Sequence, residues 1–172
     1  MSTAFCTSCD SIQPVEDIEG QENMVFCVTC GEEFEKPSLA DTLYANYSVG
    51  VVMKVDLVPK KKDLKKVLID VIGDGDEDKC IQVVTNAKYV DPGWKVVVAL
   101  ENAIVPAGAS LSDDTNAVQL KKTSVGGVKS EGMICDSGML QWTGGAKGAI
   151  QRLPDAYAIG DKPPLSRPSG EQ

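Results

Sequence analysis

The chain has 172 residues, with 17 Lys+Arg against 25 Asp+Glu, a formal charge of −8 and no histidine. The missing imidazole excludes Ser-His-Asp and Cys-His catalysis and every zinc site that needs histidine, so any zinc must be held by thiolates. No apolar run approaches the ~20 residues of a membrane-spanning helix, and the acidic balance argues at first sight against nucleic acid.

That balance is uneven along the chain. Residues 1–45 hold nine acids (Asp10, Glu16, Asp17, Glu19, Glu22, Glu32, Glu33, Glu35 and Asp41) and one base, Lys36, which leaves 16 acids and 16 bases for residues 46–172. The net charge belongs to the first quarter, which points to two functional parts. Aromatics are scarce at 5%, and the 16 glycines among abundant valines favour β-structure with tight turns. Met1 to Asp10 lacks both a basic start and an apolar core, so it is not read as a signal peptide. A reducing, cytoplasmic location is expected, where disulfides are disfavoured.

The first element is Cys6-Thr7-Ser8-Cys9, then seventeen residues, then Cys27-Val28-Thr29-Cys30. This is the spacing of a four-thiolate zinc site. Two residues between cysteines let the backbone turn so that both sulfurs reach one tetrahedral ion at ~2.3 Å. The residue after each second cysteine needs a left-handed conformation, which Gly31 adopts freely and Asp10 tolerates. Between the pairs, Ile12, Val15, Ile18, Met24, Val25 and Phe26 read as two short strands joined by a polar Glu-Gly-Gln-Glu-Asn turn. So short a segment needs metal to supply most of its folding free energy. Two disulfides or a redox dithiol are the competing readings, and the absence of secretion signals disfavours the first. One structural zinc on Cys6, Cys9, Cys27 and Cys30 is expected, with no open coordination position for chemistry.

From Asn46 the pattern is β. Val49 to Val58 alternates, which sets Val51, Met53, Val55 and Leu57 on one face until Pro59 stops the strand. Lys60-Lys61-Lys62-Asp63 makes a turn, Leu64 to Ile72 reads as a second strand, and Gly73-Asp74-Gly75-Asp76 closes it. Further strands are expected over Cys80 to Val84, Trp94 to Leu100, Ala103 to Val105 and Ser130 to Cys135. Asp74, Asp76 and Asp78 lack the terminal Glu of an EF-hand and read as a polar turn. Cys80 and Cys135 read as buried thiols. Short strands separated by turn signals suggest a closed barrel, and five of them an OB-fold arrangement, although periodicity alone leaves a sandwich open. The expected organisation is a zinc ribbon over 1–38, a linker over 39–45, the barrel over 46–162 and a Pro-rich, disordered or extended tail over 163–172.

Four stretches carry a resemblance to a known family. They are Val49-Gly50-Val51-Val52-Met53-Lys54-Val55, Gln82 to Ala87, Gly93 to Leu100, and Gly127-Val128-Lys129-Ser130-Glu131-Gly132-Met133-Ile134-Cys135. Together they resemble the tRNA-binding domain of bacterial phenylalanyl-tRNA synthetase beta chains, free-standing tRNA-binding proteins and synthetase-associated cofactors. The resemblance covers about residues 46–162 and implies an OB-fold that grips structured tRNA through backbone and shape. It places Ser130 and Met133 on the signature strand. It makes Lys60, Lys61, Lys62, Lys65, Lys66, Lys121, Lys122 and Lys129 candidate phosphate contacts, since lysine neutralises charge and releases counterions. The sequence departs from that pattern at Gly126, where the family usually has a base, and in the acidic insertion 107–119. The cysteine segment, in turn, resembles the zinc ribbons of small RNA polymerase subunits and transcript-cleavage factors.

The function expected is a non-catalytic RNA-binding adaptor in translation, with an acidic ribbon for protein contact. The alternative is a structural or accessory subunit of a large assembly, ribosome or multisubunit RNA polymerase, in which both modules are interaction surfaces.

Overall fold

The computed structural model describes residues 2–6, 8–21, 24–35, 43–106 and 117–169. The chain divides into two compact units, Met1–Thr42 and Leu43–Gln172. The acidic tract expected inside 107–119 lies, up to residue 116, outside the described residues.

The first unit is one antiparallel sheet of four strands in sequence order: β1 (Ser2–Cys6), β2 (Ser11–Asp17), β3 (Met24–Cys27) and β4 (Glu33–Glu35). The two expected strands are β2 and β3. The outer pair were not foreseen, because three residues of Glu-Phe-Glu and a run opening on Ser-Thr-Ala carry too little periodic signal. Each Cys pair sits where one strand turns into the next, Cys6 to Cys9 between β1 and β2 and Cys27 to Cys30 between β3 and β4. Asp10 and Gly31 have φ of 50° and 75°, the left-handed conformation expected of them. Among the described residues of this unit, Val15 and Val25 form a buried apolar cluster, with Phe34 partly buried against it.

The second unit is built on a five-stranded antiparallel sheet ordered β13-β8-β5-β6-β7. Its strands are β5 (Tyr47–Leu57), β6 (Lys65–Asp70), β7 (Ile81–Thr85), β8 (Lys95–Leu100) and β13 (Gly132–Ile134). Two hairpins project from it, β9 (Ile104–Pro106) with β10 (Ala117–Gln119), and β11 (Thr123–Val125) with β12 (Val128–Ser130). A 3-10 turn covers Glu77–Lys79, and among the described residues no helix is long and apolar enough to cross a membrane. β5 is long because it serves two partners: residues 47–51 pair with β8 and 51–57 with β6. At Gly50 the sheet folds so closely that a Cβ would stand 2.7 Å from Ile69 Cγ2 and 3.0 Å from the Asp70 carbonyl oxygen.

A β-bulge between Val52 and Lys54 corrects the expected alternation. The extra residue reverses the faces of the strand. Val49 and Val52 are therefore buried, Val55 packs against the core, and Leu57 is 68% exposed instead of sharing an inward face with Val51 and Met53. One buried cluster inside the sheet consists of Val52, Val67, Ile69, Val83, Val90, Val96, Val98 and Ile134, all β-branched, as a tightly curved sheet favours.

The barrel closes between β7 and the β12–β13 junction. The Glu131 N–H donates to the Gln82 carbonyl (2.8 Å) and the Gln82 N–H to Glu131 Oε2 (3.1 Å). The Val84 N–H donates to Ser130 Oγ (3.0 Å), and Gln82 Nε2 to the Lys129 carbonyl (2.6 Å). The stretch expected as one strand, Ser130 to Cys135, is thus two, with Glu131 as the corner between sheets.

Residues 136–169 wrap back over the barrel without regular strands. Val49 exchanges bonds with Gly160 and Asp161 (2.8 Å each), and the Leu153 N–H donates to the Lys95 carbonyl (2.8 Å). Beneath them lie Tyr44 and Tyr47, whose hydroxyls donate to the carbonyls of Leu140 (2.8 Å) and Ile104 (2.7 Å). The Pro-rich segment is anchored, with Pro163 buried and Trp142 Nε1 donating to the Pro164 carbonyl (2.9 Å).

Candidate functional site

The four ribbon cysteines converge. All four Sγ atoms lie within 4.8 Å of one another, with Cys6 to Cys30 at 3.6 Å and Cys9 to Cys27 at 3.9 Å. A tetrahedral ion with metal–sulfur bonds of ~2.3 Å sets its ligands about 3.8 Å apart, so the sulfurs fit one ion with little movement. Hydrogen bonding from Cys30 and burial push the Cys9 thiol up to about 12. At Cys27 burial also opposes ionisation, but backbone N–H groups of Cys30 and Thr29 outweigh it and bring the thiol down to about 7. Cys27 is thus drawn toward the thiolate, the form a metal binds, whereas Cys9 and Cys30 hold their protons more tightly than a free thiol. A polar chain ties the two cysteine turns together behind the sulfurs. Thr29 Oγ1 donates to Gln13 Oε1 (2.6 Å), Gln13 Nε2 to Ser11 Oγ (2.6 Å), and Ser11 Oγ to the Cys9 carbonyl (3.2 Å).

On the barrel, the signature residues separate into two roles. Met133 is 39% exposed and lines an open groove of about 430 Å³ together with Leu64, Val84, Val125, Met139 and Ile150. Asp136 borders the same groove, but its carboxylate is occupied, accepting from the N–H groups of Met139 (2.8 Å) and Gly148 (2.7 Å). Ser130 is 4% exposed, and its hydroxyl both accepts from Val84 and donates to the Gly132 carbonyl (3.1 Å). In this structure the Ser130 hydroxyl is thus engaged on both sides, in the bonds that close the barrel.

The lysines divide as well. Lys60, Lys61 and Lys62 are exposed on the β5–β6 turn, and none forms an ion pair among the described residues; the same is true of Lys121. Lys66 reaches Asp56 (3.8 Å), which Lys54 also approaches (3.5 Å). Lys122 lies between Glu101 (3.5 Å) and Glu131 (3.7 Å), and Lys129 pairs with Glu131 (3.1 Å). Lys65 Nζ donates to the Lys88 carbonyl (2.6 Å). Four candidate cations are thus unneutralised, and four are engaged.

The two lysine loops meet at one rim of the groove. Gly126 and Gly127, with φ of 60° and 83°, form the two-residue turn joining β11 and β12, a type I′ pattern. A Cβ at Gly126 would fall 2.8 Å from Leu64 Cδ1 and 3.6 Å from Lys61 Cγ. A base cannot occupy position 126 unless Leu64 moves, and the adjacent cation is supplied from the β5–β6 turn by Lys61. The contribution of Glu131 went unforeseen; its signal was a carboxylate lodged between two strand segments, where a solvated face has no need of one.

Residues 47–162 match a family described as "Putative tRNA binding domain". The chain belongs to this tRNA-binding domain family. Among curated proteins, the phenylalanine–tRNA ligase beta subunit of Pseudomonas savastanoi pv. phaseolicola is 31% identical over 126 residues, 73% of this chain and 14% of the relative. That of Listeria innocua is 30% identical over 130 residues, 76% and 14% respectively. The chain therefore spans about one seventh of the length of the curated relatives it matches. Among solved structures, a MetRS-related protein from Pyrococcus horikoshii is 18% identical with a TM-score of 0.46, covering 74% of this chain and 97% of that one. The chaperone CsaA from Bacillus anthracis is 16% identical with a TM-score of 0.43, covering 74% and 98%. In this family member the signature Ser130-Glu131 serves the fold, and Met133 faces the groove.

Proposed function

We propose that this chain is a non-catalytic adaptor that holds tRNA or another structured RNA on the Met133 face of its barrel and contacts a protein through its acidic ribbon. The observation that carries the reading is the convergence of the unneutralised Lys60–Lys62 turn and the β11–β12 hairpin on one rim of the Met133 groove, within a domain of the tRNA-binding family. The exposed thioether offers a soft apolar contact to a sugar or base, and the lysines take backbone phosphates. Structured RNA is favoured over a sequence-read single strand, because the groove offers sulfur and aliphatic surface where single-strand readers use aromatic platforms. The resident metal of the ribbon is zinc, held by Cys6, Cys9, Cys27 and Cys30. It supplies structure only, because four thiolates fill its coordination shell. The acidic surface of the ribbon repels RNA and suits a basic protein partner.

Fluorescence anisotropy of labelled tRNA with the full chain over a salt series tests the RNA half. Binding should weaken steeply with salt, and the K60Q/K61Q/K62Q variant should flatten the log–log slope by about 2. Undetectable binding at low salt overturns the reading. Co-purification with ribosomal or polymerase subunits at fixed stoichiometry after nuclease treatment would favour the assembly-subunit role instead.

A further inference from the structure

The chain contains two arginines, Arg152 and Arg167, and the fold brings both to the same place. They line a second groove of about 460 Å³ with Trp94, Ala149, Ile150 and the glycine-rich loop at Gly145. Among the described residues that line it there is no carboxylate, and neither arginine forms an ion pair. Both guanidinium groups are pre-positioned. Arg152 lies over the Trp94 ring, 6.0 Å from its centroid. Arg167 Nε donates to Gln151 Oε1 (2.8 Å), which also accepts from the buried Ser137 hydroxyl (3.3 Å). That leaves the terminal nitrogens of Arg167 beside the loop. A Cβ at Gly144 would stand 3.3 Å from Nη1, and one at Gly145 would collide with Ser137 Oγ, so bare backbone borders the cation.

We propose that this groove is a phosphate site that takes a backbone phosphate of the bound RNA. Two planar donor forks held in place lose little freedom when they bind a phosphate, whereas four of the eight candidate lysines are already engaged. Ile150 lines both this groove and the Met133 groove, so the two are neighbours on one surface. A strand that crosses the Met133 face reaches the arginines next. The proposal rests on the RNA-binding reading above.

Nuclear magnetic resonance separates the two. With only two arginines, the full 15N-labelled chain gives two Nε–Hε side-chain signals that report this groove alone, while the amides of β13 report the Met133 face. Titration with unfractionated tRNA should move both sets together, and inorganic phosphate should move the arginine signals at far higher concentration. The R152Q/R167Q variant should bind tRNA about tenfold more weakly, with a salt slope lower by about 1.5. If tRNA moves β13 while the arginine signals and the variant's slope stay as they were, the groove proposal is overturned and the RNA reading stands. If tRNA moves neither set but phosphate moves the arginines, the RNA reading and the RNA source are overturned, and the groove serves a free phosphate. If nothing moves, both are overturned.

Discussion

Among the described residues, the first unit has a buried cluster of two valines with a partly buried phenylalanine against it, whereas the second has a cluster of eight β-branched side chains inside its sheet. So small a described cluster offsets far less of the entropy of ordering a chain than the cluster of the second unit does. On the proposed reading, the nine acids of residues 1–45 are tolerated because a metal on the four cysteines would hold the unit in place of a large core. The largest expected effect follows from this. Removal of the metal with a chelator, or C27S, should collapse the amide dispersion of residues 1–42 and leave the barrel signals in place. Metal analysis before removal should give about one zinc per chain. A barrel that melts together with the ribbon would break the comparison.

Acid should separate the two units further, in a fixed order. A metal on the ribbon cysteines should leave first, as the sulfurs take up protons. The barrel responds much lower, through Asp70, which is 3% exposed. Burial alone would raise its carboxyl, but the N–H groups of Gly73 (2.7 Å), Gly75 (2.9 Å) and Ile72 (2.8 Å) donate to it and hold it below the ordinary value. The folded state therefore holds this proton more weakly than the unfolded chain. Its stabilisation is complete above the usual Asp value near 3.9 and is lost as pH falls through the lower folded value. D70N should cost about 2–3 kcal/mol at neutral pH, since an amide nitrogen then faces a backbone donor, and should flatten the acid limb below pH 4. Urea unfolding across pH measures both. An unchanged acid limb would assign the barrel's acid response to other groups.

The same contrast governs what could be read from the sequence. Metal spacing is local and chemical, so Cys6, Cys9, Cys27 and Cys30, with Asp10 and Gly31 behind them, were legible to the residue. The strands of the barrel were legible as elements, but their faces were not: the bulge at Val52–Lys54 adds one residue and inverts every later side chain, which a two-residue period cannot register. Closure was hidden for a different reason. Ser130 and Glu131 act across 46–49 residues of sequence on Val84 and Gln82, so their hydrogen bonds depend on the finished topology. The cations were visible as residue types, but their availability was not. Lys129 and Lys61 look alike in sequence, while only Lys129 is paired with Glu131.

The smallest predicted effect tests the division of roles on the signature strand. S130A removes the acceptor of the Val84 N–H and the donor to the Gly132 carbonyl without altering the exposed surface, because the hydroxyl is buried. One backbone donor left unsatisfied in a closed barrel should cost about 1–2 kcal/mol in urea unfolding, with the midpoint lowered and the denaturant slope unchanged. The tRNA salt slope should not change, because no phosphate contact is lost. M133A should show the opposite pattern, weaker RNA binding with little loss of stability, because its side chain is 39% exposed on the groove. If S130A lowers the salt slope by about 1, the hydroxyl contacts phosphate after all, and the barrel must open at the β7–β13 seam to let it do so.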